Sequence, residues 1–195
     1  MVNLIRPTLV MLALLTLVTG VAYPLLVTAI GQTFMADHAN GSLVMRDGKP
    51  VGSSLIGQTF ASPKYFWGRP SATSPMPNNA AASGGSNLGP TNPALKDAVS
   101  ERIQALQKAD PTNKLAVPID LVTTSASGLD PDISEAAARY QSNRIATARS
   151  LTAAQVAAVI DGNREGALFG FLGEPRVNVL RANLALDALA APATK

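Results

Sequence analysis

PTLVMLALLTLVTGVAYPLLVTAI, residues 7–30, is a run of 24 residues without a single charge. At about 1.5 Å of rise per residue a helix of this length reaches roughly 36 Å, more than the hydrocarbon core of a bilayer, about 30 Å. A secretory signal would have a shorter apolar region ending in small residues, and Gly20-Val21-Ala22 could serve as such a site. The run continues past it through Leu25, Leu26, Val27, Ala29 and Ile30, so the sequence predicts a retained anchor. No second stretch is comparably apolar. The expected organisation is therefore an N-terminal segment and connector over 1–36, with the anchor at about 7–30, followed by one soluble domain over 37–195.

Basic flanks set orientation. Arg6 precedes the run, whereas the first basic residue after it is Arg46, so the amino terminus is expected in the cytoplasm and the large domain outside it, in the periplasm of a Gram-negative cell. The chain has no Cys, which agrees with export and excludes a lipid-modified cysteine. Beyond the anchor, 15 basic residues face 13 acidic ones, with no basic run, so nucleic acid is not an expected partner. Membrane lipid is.

Patterning in the soluble part predicts an α+β domain. Residues 31–41 read as a connector. Ser42–Met45 and Val51–Ser53 flank Asp47-Gly48, a two-residue hairpin signal, and Leu55–Phe60 reads as a third strand. From Ser62 to Pro93 there are six prolines, four glycines and little periodicity, a loop length that usually marks function. Asn92 and Pro93 are suited to the cap and first position of a helix that ends before Asp110-Pro111. Val117–Thr123 reads as a buried strand and Ser134–Arg149 as one helix. Thr152 with Gln155 forms a capping-box pattern for a helix ending near Gly162. Phe169–Leu172 reads as a short strand, and Asn178 as the cap of a last helix carrying Leu180, Leu184 and Leu189.

Candidate chemistry is sparse. The only histidine, His38, lies just after the anchor, which argues against a Ser-His-Asp triad or a histidine metal site in the domain. No lysine stands in Ser-x-x-Lys, so a membrane-tethered Ser-Lys hydrolase would need a distant pair. Gly84–Thr91 fits the phosphate-loop pattern except that Pro90 replaces its lysine. Gly84, Gly85 and Gly89 are accordingly read as structural, a tight turn with left-handed backbone feeding the Asn92 helix. Arg139, Arg144 and Arg149 are five apart, rotated by about 140° on a helix, and are expected in solvent or paired with Asp130, Asp132 and Glu135. Arg69 follows Tyr65-Phe66-Trp67 and is expected to clamp its loop or meet a partner. Ala13, Thr16 and Gly20 place small side chains on one stripe of the anchor, a candidate packing face, and Pro24 is expected to kink that helix near residues 20–24.

Several segments together resemble the C subunit of the bacterial Kdp potassium-transporting ATPase. They are Leu55-Ile56-Gly57-Gln58, Tyr65–Ala72, Ala82–Gly89, Leu121–Asp130, Asn178-Val179-Leu180 and Asn183–Asp187, together with Tyr23-Pro24-Leu25 in the anchor. Ala182 stands where a bulkier residue is expected, and Ala190–Lys195 reads as an extension. The resemblance implies a non-catalytic subunit of an inner-membrane pump that imports potassium at the expense of ATP. Its partners would be a potassium-binding channel-like subunit, an ATP-hydrolysing subunit and a small F subunit. The family is described as a catalytic chaperone raising ATP affinity, and Gln141 resembles the family glutamine after the Ser-Gly-Leu-Asp motif. No cofactor is expected to bind this chain tightly, since ATP and potassium would be handled by the complex. The residues themselves leave open a tethered hydrolase or a periplasmic solute-binding module.

Overall fold

The computed structural model describes residues 2–190; the expected tail extension beyond Ala190 lies outside them. The apolar run is helical well past both of its ends: α1 (Val2–Leu17) leads through a π-helical turn at Val18–Ala22 into α2 (Tyr23–Phe34). One helix, Asn3–Phe34, is long and apolar enough to cross a membrane. The wide turn answers to Pro24, which has no N–H to donate. Immediately before it, the Tyr23 N–H reaches back to the Val18 carbonyl, five residues away. The expected connector is partly helical, with α3 at Ala36–Ala39.

β1 (Leu43–Arg46) and β2 (Lys49–Ser53) form a two-stranded sheet around Asp47 and Gly48, whose φ values of 51° and 73° are those of the predicted hairpin turn. The chain divides into two compact units, the first ending at Val51 and the second starting at Gly52.

In the second unit α4 (Pro93–Ala109) starts where predicted, with the Asn92 side chain accepting from the Ala94 N–H. A three-stranded antiparallel sheet follows, with β5 (Arg176–Asn178) between β3 (Asp132–Ser134) and β4 (Arg164–Glu165). Ile133 pairs with Val177 in β5, and both are buried. Helices α5 (Glu135–Tyr140), α6 (Ser142–Arg149), α7 (Ala153–Gly162) and α8 (Val179–Ala190) complete the unit. The core combines Ile133 and Val177 with Ile145, Val156, Ile160 and Leu186, and with Phe66 from the long loop. The unit is α+β, as predicted. Ala182, the small residue where bulk was expected, is fully buried in this core.

Four expected elements differ. Leu55–Phe60 pairs with no strand; its Gly57 N–H instead donates to the Leu129 carbonyl at 2.7 Å. Val117–Thr123 holds a 3-10 turn at Ile119–Leu121, because Pro118 cannot supply a ladder N–H and Leu121 and Val122 are buried together instead of alternating. The helix expected over 134–149 is broken at Gln141. Here Asn113 Nδ2 reaches the Tyr140 carbonyl at 2.8 Å, competing for the group that a continuous helix would offer to Arg144. Phe169–Leu172 is the turn of a tiny hairpin, with Phe169 and Gly170 at positive φ and Leu168 bridged to Leu172. The three strands of the second unit's sheet are two or three residues long, too short for an alternating pattern to register.

Candidate functional site: a clasped aromatic loop and its cavity

Tyr65-Phe66-Trp67 supplies the hydrophobic weight of the long loop, yet a loop that enters a core must find partners for its backbone groups. Two amide side chains provide them. The Asn183 carbonyl accepts from the Phe66 N–H at 2.7 Å while its NH2 donates to the Phe66 carbonyl at 3.0 Å. Gln141 does the same for the next residue, accepting from the Trp67 N–H at 2.8 Å and donating to the Trp67 carbonyl at 3.1 Å. Each amide thereby imitates a neighbouring strand. Gln141 is 1% exposed, and it also donates to the Ala137 carbonyl at 3.3 Å and accepts from Arg144 at 2.6 Å. All four of its hydrogen-bonding positions are used within the chain.

The arginines complete the grip. Arg144 is buried, donates to the carbonyls of Pro63 and Tyr65, and lies 4.2 Å from the centre of the Trp67 ring. Burial pulls its pKa down to about 10, against the attraction of Asp110, so it remains charged at neutral pH. Arg149 donates to the Lys64 carbonyl, stacks over Tyr65 and pairs with Asp187 at 2.7 Å, while Asp187 also accepts from the Tyr65 hydroxyl. Of the expected arrangement only Arg139 fits, pairing with Glu135 as well as Asp161. Arg144 and Arg149, both on α6, instead turn onto the aromatic loop.

A second assembly centres on Thr124–Asp130, on which three loops dock. Gly84 donates to the Ser127 carbonyl at 2.8 Å, Ser71 to the Gly128 carbonyl at 2.7 Å, and Gly57 to Leu129. Arg69 pairs with Asp130 at 3.0 Å and donates to the Thr124 carbonyl at 3.4 Å. Its Nε is buried without an acceptor, an arrangement that typically costs about 1–3 kcal/mol. Ser71 and Thr73 stitch the loop internally by accepting from the N–H groups of Asn78 and Asn79 at 3.0 Å each.

The glycine-rich turn is structural in a different way from that expected. Neither Gly84 nor Gly85 has positive φ; that conformation falls to Asn87 at 52°. What demands glycine at 85 is proximity, since a Cβ there would lie 2.9 Å from the Ala126 carbonyl oxygen, whereas at Gly84 or Gly89 it meets nothing within 4 Å. Gly85→Ala should therefore destabilise the domain by about 1–3 kcal/mol through overpacking. Gly84→Ala should be neutral or stabilising by up to about 1 kcal/mol, because it restricts the unfolded chain. Urea unfolding of the two variants checks the contrast, and equal losses would refute it.

Between the two assemblies lies a cavity of about 450 Å³, within the range of ligand pockets. Phe60, Trp67, Leu106 and Leu121 give it apolar walls, and Arg69 and Arg102 are also among its lining residues. The sequence picked out Arg69 and the aromatic cluster, and it held Asn183 within a motif of the resemblance without a role, whereas Arg102 was not singled out as a site residue. Gln141 is brought to the site's support, whereas Gly84, Gly85, Gly89 and the anchor residues Ala13, Thr16 and Gly20 do not line the cavity. Among the described residues no group of three or more His, Asp or Glu side chains comes together as a metal site.

Comparison with known proteins gives one consistent result. Residues 5–188 match the family model described as KdpC, K+-transporting ATPase, c chain. The chain is 63% identical over 187 residues to the potassium-transporting ATPase KdpC subunit of Methylibium petroleiphilum, covering 96% of this chain and 98% of that one. It is 62% identical over 189 residues to that of Variovorax paradoxus, covering 97% and 98%, and 59% identical over 189 residues to that of Dechloromonas aromatica, covering 97% and 99%.

Proposed function

The chain belongs to the KdpC family, the c chain of K+-transporting ATPases, and from that premise we propose that it is a non-catalytic assembly and regulatory subunit of an ATP-driven potassium import complex. The observation that carries this reading is that the match runs through anchor and soluble unit alike, over residues 5–188. The partners would be a potassium-binding channel-like subunit, an ATP-hydrolysing subunit and a small F subunit in the inner membrane. The amino terminus would be cytoplasmic and the large domain periplasmic. ATP and potassium are then handled by the partners, and any rise in ATP affinity reaches the hydrolysing subunit as a coupling free energy through the complex, which requires differential contacts in two states but no proximity to nucleotide. In this role Gln141 acts through position, holding Trp67 and the loop that carries Arg69.

In the bilayer, helices associate through close packing rather than hydrophobicity, so the stripe Ala13, Thr16 and Gly20 is the proposed face toward the complex. A Cβ at Gly20 would meet only Thr16 Cγ2, at 3.8 Å, so a larger side chain is compatible with this helix by itself. Gly20→Leu should lower co-purification with the two large membrane subunits by at least about tenfold while leaving membrane insertion intact, and Leu15→Ala should change little. Wild-type recovery for Gly20→Leu would remove the packing role. Failure of the unmodified chain to co-purify at all would remove the subunit reading itself.

A further inference from the structure

We propose that the cavity beside Trp67 is a docking cleft for an extended segment of a partner polypeptide, one that presents a carboxylate next to an apolar side chain. The proposal rests on the subunit reading above and adds the chemistry of one contact.

One wall of the cavity is the stretch Thr59-Phe60-Ala61. Residues 55–60 have the sequence pattern of a strand, but no strand lies beside them, and none of the backbone groups of residues 59–61 bonds to another backbone group among the described residues. Backbone whose N–H and carbonyl groups are not taken up by other backbone is what a peptide needs in order to add by strand-like hydrogen bonding, with adjacent pockets selecting its side chains. The apolar walls formed by Phe60, Trp67 and Leu106 supply a pocket of that kind.

Charge selects the second feature. Arg102, on α4, donates to the Val122 carbonyl at 2.7 Å and is in no ion pair among the described residues. Burial lowers its pKa, with Glu101 acting in the opposite sense. Its neighbour at the cavity, Arg69, is balanced by Asp130 yet keeps a buried Nε–H without an acceptor. An arginine outside every ion pair among the described residues, lining an apolar cleft, is complementary to a carboxylate, which a guanidinium can bind through parallel N–H groups.

The chain lacks cysteine, so Ala105→Cys, at an exposed cavity-lining position of α4, introduces a unique thiol in it. Its modification by a membrane-impermeant maleimide is measured in the full-length chain alone and in the assembled complex. Assembly should slow labelling at least about tenfold, and Arg102→Gln in the same background should abolish most of that protection. Equal rates in the two states overturn the proposal while leaving the subunit reading intact, provided that the variant co-purifies with the complex. If millimolar phenylacetate protects the introduced thiol in the free chain and assembly does not, the occupant is a free organic acid, which also overturns it. Full protection that persists in Arg102→Gln overturns the carboxylate as the recognised group.

Discussion

Gln141→Leu is expected to destabilise the soluble unit by about 3–5 kcal/mol, because it keeps the volume of the side chain and removes every hydrogen bond the amide makes. The Trp67 N–H and carbonyl lose the partners that a buried glutamine supplies, and Arg144 loses its closest side-chain acceptor. For a unit of this size the loss corresponds to a fall in Tm of about 10 °C or more. Trp67 is the only tryptophan in the chain, so its fluorescence reports unfolding of the loop directly. Gln107→Leu, at an exposed position of α4, should stay within about 0.5 kcal/mol of wild type. Asn183→Leu should resemble Gln141→Leu, since it strips Phe66 of the equivalent pair of bonds. The two clasps hold consecutive residues, so their losses should not add: the double variant is expected to fall short of the sum by about 1 kcal/mol or more. Strict additivity would show that the two amides grip the loop independently, and a Gln141→Leu protein as stable as wild type would contradict the clasp altogether.

Gly128→Ala should be the costliest single methyl in the domain, about 2–4 kcal/mol. Two effects combine there. Gly128 has φ of +68°, a conformation unfavourable to L side chains, and a Cβ would stand 2.5 Å from Thr73 Cγ2 and 2.7 Å from the Gly84 carbonyl oxygen. The methyl would thus push on two of the loops that dock on Thr124–Asp130. Gly173 separates the contributions: its φ is +84°, but nothing lies within 4 Å of a Cβ built on it. Gly173→Ala should then cost only the backbone share, about 1–2 kcal/mol. Chemical unfolding of the full-length variants measures both, and equal costs would show that the loops yield to the methyl.

These two positions mark the division between what local sequence and tertiary contact each decided. The apolar run of residues 7–30, the Asp47-Gly48 hairpin, the Asn92 and Asn178 caps and the Thr152–Gln155 capping box were all legible, and each takes the predicted form. Every one of them depends on residues a few positions apart, where the physics is local: a charge-free length, a tolerance for positive φ, a side chain reaching its own helix end. The aromatic loop and Arg69 could be singled out by their composition, but not the side chains that hold them. Gln141 grips a residue 74 positions away and Asn183 one 117 away, and no spacing rule connects an amide to a backbone it meets only after folding. For the same reason the helix break at Gln141 was invisible, since Asn113 reaches Tyr140 from 27 residues before it. Local pattern thus sufficed for the long apolar N-terminal helix, the α+β composition and the capped starts of α4, α7 and α8. Tertiary packing settled which polar groups were consumed in holding the loop, and it left Arg102 at the cavity outside every ion pair among the described residues.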